Sequence, residues 1–462
     1  MRHVELLDAI AREIGPDRVQ TGDAIPPRHL TDWSGAAPVR PLALMRPRST
    51  EEVSAVLRLC SAHRVPVVPQ GGLTGLAGAA VPNGDAIALS LDRMNAIESL
   101  DAAAATITVQ AGATLEAVQQ AAAAQGLLFG VDLGARGSCQ IGGNLATNAG
   151  GNGVLQFGMM REQTLGLEVV LADGSVLPML RPMIKNNTGY DLKQFFIGAE
   201  GTLGVITRAV LRLHPAPQAR ATTLVALPGF DAALALLGRL QARFPGAVGA
   251  FELMWRDFIE TSLRWQKLRE PFEMAHPFAA LVDVVGDDEA ALRDALEDVL
   301  GGAMEDGIAA DAAIAQSHAQ AQAFWKIREA TAELPVHMHP PINFDVSLPM
   351  REIGRFAEVC RAAFDARWPG HHSLFFGHVG DSNLHITTDG HSIGGEAEEL
   401  ERVVYAQVAA FGGSVSAEHG IGLHKKPYLG ASRTPAELAV MRAIKQALDP
   451  HHLLNPGKVF DI

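Results

Sequence analysis

The sequence predicts an α+β protein with more than one domain. A chain of 462 residues is too long to fold around one core. Three runs between residues 218 and 415 have the pattern of strands, and each precedes a helical stretch. This pattern favours a mostly antiparallel sheet covered by helices. The strands are Thr222–Leu227, Phe278–Val285 and Asn343–Leu348, and the predicted divisions of the chain are residues 1–217, 218–415 and 416–462.

The composition excludes several classes of function. A net charge of −13 disfavours a polyanionic partner, so no nucleic acid is expected. The three cysteines form no CxxC pair, which favours a reducing compartment. The N-terminal apolar stretch carries acids, and the uncharged residues 137–160 are rich in Gly and Asn. We therefore predict no signal peptide, no transmembrane segment and a cytoplasmic location.

Local signals place helices and strands at both ends of the chain. Ser49 and Thr434 each precede a Glu by three residues, which predicts capped helices to about residue 63 and residue 448. Thr114 is the predicted N-cap of a third helix, ending near Gly126. The other predicted strands are Pro66–Pro69, Ile87–Ser90, Thr106–Gln110, Val205–Leu213 and, around an Asp-Gly turn, Leu167–Ala172 with Ser175–Leu180.

Two glycine-rich segments lie in the first 217 residues. Residues 70–78 (QGGLTGLAG) directly follow a predicted strand, and residues 134–153 contain seven glycines. Closely spaced glycines allow backbone N–H groups to turn inward around phosphate oxygens. Neither a P-loop nor a GxGxxG spacing is present, so the first loop alone fits a tight turn equally well. The second is too long for a simple connection, which indicates a functional segment near a large ligand.

The segment Phe375–Thr387 has the pattern of a β-hairpin. Gly380–Asn383 are turn formers, and if they make the loop, His378 faces His385. Directly opposed side chains lie about 5 Å apart at Cβ, close enough for two imidazoles to bind one metal ion. Two ligands are too few for a metal site, and surface histidines would explain the pair as well. The later residues 418–422 (EHGIG) favour a site because they add a carboxylate and a base.

These motifs together resemble a known family. Residues 70–78, Ser138–Gly153 and Gly198–Gly204 resemble the flavin domain of the vanillyl-alcohol oxidase superfamily. The likeness is closest to the group that holds D-lactate dehydrogenase, D-2-hydroxyglutarate dehydrogenase and the corresponding subunit of glycolate oxidase. It covers nearly the whole chain, including residues 185–192 and Leu454–Lys458. Several motifs in one order are far more specific than any single one.

The resemblance implies a two-part FAD-binding domain of vanillyl-alcohol oxidase type and an α+β cap domain with a mostly antiparallel sheet, with residues 416–462 returning to the flavin site. We expect FAD to be non-covalent because residues 70–78 contain no His or Cys, and Cys139 matches a binding position rather than an attachment site. The implied cofactor-binding residues are Gln70, Gly71, Gly72, Leu73, Thr74, Gly75, Gly78, Ser138, Ile141, Gly142, Gly143, Asn148, Gly150, Gly151, Glu200, Gly201, Gly204, Ile206 and Asn455.

The implied reaction is oxidation of a D-2-hydroxy acid to a 2-oxo acid. His378, His385 and Glu418 would hold a divalent metal, with zinc the first expectation and manganese the second. His419 would be the general base. A residue such as Arg328 is usually a surface charge, but the family implies that it binds the substrate carboxylate. The remaining substrate-binding residues would be Asn343 and Thr387, together with the two metal-binding histidines.

The substrate and the acceptor of the electrons are less closely specified. Where the hydroxyglutarate enzymes carry a basic residue and an Asn, this chain has Asn343 and Thr387, and Ala332 replaces a polar residue. We therefore expect a D-2-hydroxy acid other than 2-hydroxyglutarate, such as D-lactate or a bulkier monocarboxylate, with D-2-hydroxyglutarate as the alternative. An electron-transfer flavoprotein, a quinone or a cytochrome can each serve as acceptor, and the resemblance allows a homodimer.

Three other interpretations are open from the sequence. A metallohydrolase would use the same ligands to activate water, but it leaves the glycine segments unexplained. A non-catalytic flavin protein for electron transfer or assembly would keep those segments without the metal ligands. A flavin oxidase would pass electrons directly to oxygen and form peroxide.

Overall fold

A computed structural model describes residues 2–462, which divide into two compact units. Unit 1 contains residues 2–151, 157–216 and 418–462, and unit 2 contains residues 152–156 and 217–417. The chain therefore leaves unit 1 for the length of unit 2 and re-enters it at Glu418.

Both units contain helices as well as strands. The helices are α1 (Arg2–Ile14), α2 (Thr50–His63), α3 (Leu115–Ala123), α4 (Ile141–Thr147), α5 (Val154–Phe157), α6 (Met160–Gln163), α7 (Phe230–Arg243), α8 (Arg256–Gln266), α9 (Glu289–Glu305), α10 (His318–Glu329), α11 (Leu334–His337), α12 (Ile353–Arg367), α13 (Ala397–Ala410) and α14 (Pro435–Leu448). The strands are β1 (Val19–Gln20), β2 (Ala43–Met45), β3 (Val67–Gln70), β4 (Ile87–Ser90), β5 (Ile97–Asp101), β6 (Thr106–Gln110), β7 (Leu127–Leu128), β8 (Thr164–Val170), β9 (Val176–Met179), β10 (Val205–Arg212), β11 (His214–Pro215), β12 (Ala219–Leu227), β13 (Val248–Trp255), β14 (Phe278–Gly286), β15 (Asp311–Ile314), β16 (Pro341–Ser347), β17 (Ser373–Gly377) and β18 (Asn383–Asp389).

Unit 1 is built around two sheets. The four-stranded sheet has the order β1-β2-β4-β3, in which β2, β4 and β3 are parallel. The five-stranded antiparallel sheet has the order β5-β6-β10-β8-β9. Helix α1 packs through Leu6, Ile10 and Ile14, which recur every four residues on one face and are buried. Its partner α2 begins at the predicted cap, because the Ser49 side chain accepts the N–H of Glu52.

Unit 2 contains one seven-stranded sheet in the order β15-β12-β14-β13-β17-β18-β16. Every pair of neighbours in this sheet is antiparallel, so the predicted antiparallel sheet is confirmed. On one face, Met254, Leu374 and Phe376 of the central strands form an apolar cluster with Phe258 of α8 and Ile327 of α10. These two helices therefore cover the face on which the polar residues described below lie.

The predicted hairpin exists, but its register is wrong by two residues. His385 pairs with Phe376 rather than with His378. The reason is that Val379–Asp381 form a turn of 3₁₀ helix, which lengthens the loop and ends β17 at Gly377. A shift of two residues keeps side chains on the same face. The His378 and His385 rings are therefore diagonal neighbours, with ring centroids 5.4 Å apart.

Candidate active site

In unit 1 the two glycine-rich segments approach each other closely. A Cβ added to Gly72 would lie 2.1 Å from the carbonyl oxygen of Ser138, and one added to Gly71 would lie 3.5 Å from Gly143. Only glycine allows the first of these contacts. Leu73 and Asn148, which follow within the same segments, both adopt positive φ, at 62° and 52°. The two segments thus form one backbone cradle, with little side-chain material inside it.

Replacing Gly72 with Ala is expected to force this cradle apart. The added methyl would clash with backbone atoms of Ser138 and Cys139, which cannot swing away as a side chain can. We expect a loss of about 1–3 kcal/mol in unfolding free energy, the usual scale for overpacking, and a lower FAD content. Gly134→Ala is the matched control, since nothing lies within 4 Å of its Cβ position. Thermal unfolding and the flavin-to-protein ratio measure both effects, and equal values for the two variants would contradict the cradle.

The side chain of Gln70 stabilises the start of the loop. Its Nε2 donates to the carbonyl oxygens of His29 and Ala80, and its Oε1 lies 2.8 Å from His29 Nδ1. Gln70 is 1% exposed. Its predicted contact with the cofactor therefore has to come from the backbone, because the side chain is occupied within the protein.

Asn455 ties the C-terminal segment to the same region of unit 1. Its Nδ2 donates to the carbonyl oxygens of Ala79 and Glu200, while its N–H donates to Val67 on β3. The Oδ1 of Asn455 and the Oε1 of Gln140 are buried without a hydrogen-bond partner. Two buried acceptors beside the glycine cradle fit a ligand that brings hydroxyl or N–H donors, as FAD does.

Glu200 holds the loop that carries the predicted base. Its two carboxylate oxygens accept the N–H groups of Ile421 and Gly422, at 2.7 and 2.8 Å. Burial raises the pKa of the Glu200 carboxyl, and the two N–H donors oppose this shift. Gly420 has a φ of 79°, and a Cβ there would lie 2.9 Å from the Glu200 carboxyl. The predicted bend after His419 is therefore built from two glycines and one buried carboxylate.

Other predicted cofactor residues divide into two groups. Ile141 and Gly142 donate their N–H groups to Ala113 and Ala111, and Gly78, Gly151 and Gly201 adopt positive φ in the surrounding loops. Gly204 instead packs against Val169 and Phe196, and Ile206 lies in β10. These last two positions serve the core of the unit. The residues Thr74, Gly75, Ser138, Gly143 and Gly150 belong to the two segments of the cradle or their immediate continuation.

In unit 2 a buried ion cluster joins Arg328, Glu252 and His378. Arg328 Nε donates to Glu252 Oε2 at 2.8 Å, and His378 Nδ1 lies 2.6 Å from Glu252 Oε1. Arg328 Nη2 lies 3.4 Å from His378 Nε2. Arg328 is 8% exposed, so it is not the ordinary surface charge that its helix would suggest. Its guanidinium also lies over the Phe376 ring, at 4.9 Å from the centroid.

The charge of Glu252 is maintained by its two partners. Burial alone would raise the pKa of this carboxyl, but the charges of His378 and Arg328 outweigh burial and hold the pKa at about 2. The carboxylate is therefore an acceptor at neutral pH. Sequence reasoning missed Glu252 because β13 was not predicted. The available signal was a single acid within the apolar run Ala250–Trp255.

His385, Thr387 and Asn343 lie on neighbouring strands of the same sheet. Thr387 pairs with Asn343 in the sheet, and its hydroxyl donates to the Asn343 side-chain oxygen at 2.8 Å. His385 lies two residues before Thr387 and packs beside Phe376, with ring centroids 5.2 Å apart. The five predicted substrate residues of unit 2 thus occupy one stretch of β16–β18 and the adjoining end of α10.

Glu418 begins the re-entry into unit 1. The residue before it, Ala417, donates its N–H to the carbonyl oxygen of Asp345, which pairs with His385 in the sheet. Because consecutive Cα atoms are about 3.8 Å apart, Glu418 starts within one residue of that strand pair. The Glu418 carboxylate itself accepts the N–H of Gly151 at 3.1 Å. The chain thus passes directly from the histidine strands to the motif that carries the third predicted ligand and the base.

Sequence comparison places this architecture in a family. The FAD binding domain family matches residues 41–179, and the C-terminal domain of FAD linked oxidases matches residues 216–459. The chain belongs to the FAD-linked oxidase family. It is accordingly an FAD-dependent oxidoreductase, and the predicted family resemblance is confirmed.

Curated members of this FAD-linked oxidase family resemble the chain along its length. The D-2-hydroxyglutarate dehydrogenase of Xanthomonas citri pv. viticola is 40% identical over 450 residues, covering 96% of this chain and 94% of the relative. The enzyme of that name from Stutzerimonas stutzeri is 35% identical, with 98% of each chain covered. The mitochondrial enzyme of that name from Rattus norvegicus is 36% identical, with 96% of this chain and 81% of the relative covered.

Solved structures agree with the predicted fold of this FAD-linked oxidase. Substrate-bound p-cresol methylhydroxylase superposes with a TM-score of 0.79 at 16% identity, covering 100% of this chain and 97% of the other. Alkyldihydroxyacetonephosphate synthase superposes with a TM-score of 0.74 at 18% identity, covering 98% and 84%. These likenesses confirm the two-part flavin fold with its additional domain. Among residues 2–462, no helix is long and apolar enough to cross a membrane.

Proposed function

We propose that this protein oxidises a D-2-hydroxy acid to the 2-oxo acid with non-covalent FAD and a divalent metal. The observation that carries the proposal is the buried Arg328 beside His378 and His385 on one face of the unit 2 sheet. A cation that can bind a carboxylate lies next to two imidazoles of the kind that bind metal ions. A 2-hydroxy acid presents a carboxylate and a neighbouring hydroxyl, which are the groups that such a pair would receive.

Arg328 is assigned to the substrate carboxylate. Its Nε is already bonded to Glu252, so a two-point grip has to use the terminal nitrogens Nη1 and Nη2. Glu252 holds the guanidinium in place and keeps it from collapsing onto the substrate's position. The fixed orientation lowers the entropy lost when the carboxylate binds.

His378, His385 and Glu418 are assigned to the metal, and His419 to the hydroxyl proton. The donor set of two imidazoles and one carboxylate fits zinc first and manganese second. When bound, such an ion would lower the pKa of the substrate hydroxyl, and FAD would accept the hydride from Cα. His419 takes the hydroxyl proton at a ring nitrogen, and the strap from Glu200 to residues 421 and 422 keeps its loop in position.

The proposed FAD link is non-covalent. The glycine cradle contains neither a His nor a free thiolate, and burial raises the pKa of the Cys139 thiol beyond its ordinary value. Acid precipitation should release the yellow colour into the supernatant. Colour that remains in the protein pellet would contradict this assignment.

Substrate preference separates two candidates. A monocarboxylate such as D-lactate is favoured by neutral Asn343 and Thr387, because no described cation beside them would balance a second buried carboxylate. D-2-hydroxyglutarate is favoured by the names of the relatives that are 35–40% identical. We expect a higher kcat/KM for at least one D-monocarboxylate than for D-2-hydroxyglutarate. Steady-state kinetics with an artificial acceptor measure this, and the reverse order would assign the second candidate.

The electrons are proposed to leave through a separate acceptor, either a protein or a quinone. The same kinetics test this under air without added acceptor. Peroxide formed as fast as substrate disappears would replace the dehydrogenase with a flavin oxidase.

A further inference from the structure

Glu252 is the one residue of the buried cluster in unit 2 to which the proposed reaction gives no part. It lies in the middle of β13, is 1% exposed and is surrounded by apolar neighbours in the strand. Its two oxygens serve different partners, since Oε2 accepts from Arg328 and Oε1 faces His378 Nδ1. Burying a carboxylate in such a strand is unfavourable unless both oxygens are bonded to partners of opposite charge or to donors.

We infer that Glu252 is a positioning residue that fixes the tautomer of His378 and the orientation of Arg328 together. The inference rests on the proposed function, because it assigns to His378 Nε2 the role of metal ligand. It adds that one carboxylate prepares both the metal ligand and the grip on the substrate carboxylate.

The tautomer of His378 follows from both of its ring nitrogens. A carboxylate only accepts, so the 2.6 Å contact with Glu252 Oε1 requires a proton on Nδ1. A guanidinium only donates, so Arg328 Nη2 at 3.4 Å requires a lone pair on Nε2. The two contacts independently give the same neutral tautomer. A metal-binding imidazole needs this arrangement, with its other N–H donated to a carboxylate.

The orientation of Arg328 has a consequence for the substrate. With Nε held by Glu252, the nitrogen Nη2 is placed next to His378 Nε2. A carboxylate that binds the terminal nitrogens therefore lies beside the atom assigned to the metal. Glu252 thus sets the spacing between the two points at which a 2-hydroxy acid would be held.

Glu252→Gln tests this through hydrogen-bond direction at nearly constant shape. The amide has one accepting oxygen and one donating nitrogen. Its nitrogen cannot face Arg328, which has no acceptor, so it turns toward His378 Nδ1. That ring nitrogen must then accept, which moves the proton to Nε2 and blocks the ligand atom.

The test is a Zn²⁺ titration of FAD-loaded, chelator-treated protein against a coloured competing chelator. For Glu252→Gln we expect the Zn²⁺ Kd to rise about 10- to 100-fold, the usual effect of losing a carboxylate behind a histidine ligand. The FAD content should equal that of the parent. Asp283→Asn is the matched control, since Asp283 is a buried acid on neighbouring β14 bonded to Arg220 and Thr222. It should leave the Kd unchanged even if it lowers the unfolding temperature.

Glu252→Asp keeps the charge and both acceptors but is shorter, so it should raise the Kd less than Gln does. If the Gln variant does not fold, the Asp variant decides, and a Kd equal to the parent's overturns the inference. A parent-like Kd in Glu252→Gln, or an equal rise in Asp283→Asn, overturns it as well. A parent that binds no Zn²⁺ or Mn²⁺ gives a different pattern and removes the proposed metal together with this inference.

Discussion

His385→Ala is expected to remove the metal and nearly all turnover while FAD stays bound. The change deletes one of three proposed ligands, and two ligands do not hold a zinc ion in a protein site. The ion is expected to contribute several kcal/mol to transition-state stabilisation, so the rate should fall by at least about 10²- to 10³-fold. FAD should remain because the glycine cradle lies in the other unit. Metal analysis, flavin absorbance and turnover measure the three quantities.

His391→Ala is the control for this variant. His391 is an exposed histidine of unit 2, beyond the end of β18. It should leave the metal content and the rate at the parent values. An active parent without metal, or a His385 variant that retains both metal and rate, would contradict the assignment.

His419→Gln is expected to separate the base from the ligands. It should retain metal and FAD, but reduce the rate of flavin reduction by roughly 10²- to 10⁴-fold, the usual scale for loss of a general base. The glutamine keeps a polar side chain of similar length, so the loop held by Glu200 should not move. Rapid mixing with substrate in the absence of oxygen measures the step directly.

The exposed His424, five residues further along unit 1, provides the control. His424→Gln should reduce flavin at the parent rate, since the bond from His424 to Ala77 is made by the backbone N–H, which the substitution keeps. Unchanged reduction kinetics in the His419 variant would assign the base to another residue.

Local chemistry made much of the fold predictable from the sequence. The N-caps at Ser49, Thr114 and Thr434 all accept the backbone N–H three residues later, as their spacing predicted. The glycines at 420 and 422 adopt positive φ where a bend had to place two adjacent side chains in one site. Each of these features depends only on residues close in sequence.

Features that depend on long-range packing were not predictable. The hairpin register failed because a 3₁₀ turn at residues 379–381 competes with the tighter loop that the turn formers suggested. Strand β13 has nearly every residue buried, so it lacks the alternation that marks a half-exposed strand. Without β13 there was no way to bring Glu252 to Arg328, which is 76 residues away.

Metal-assisted, FAD-dependent oxidation of a D-2-hydroxy acid is tested most directly by flavin reduction under anaerobic conditions. FAD-loaded protein is mixed with each enantiomer of a set of 2-hydroxy acids, before chelation, after chelation and after Zn²⁺ or Mn²⁺ is restored. We predict that the flavin absorbance bleaches with a D enantiomer, fails to bleach after chelation, and bleaches again when metal is restored. Equal bleaching by the L enantiomer, or an undiminished rate in protein shown to be free of metal, would contradict the proposed reaction.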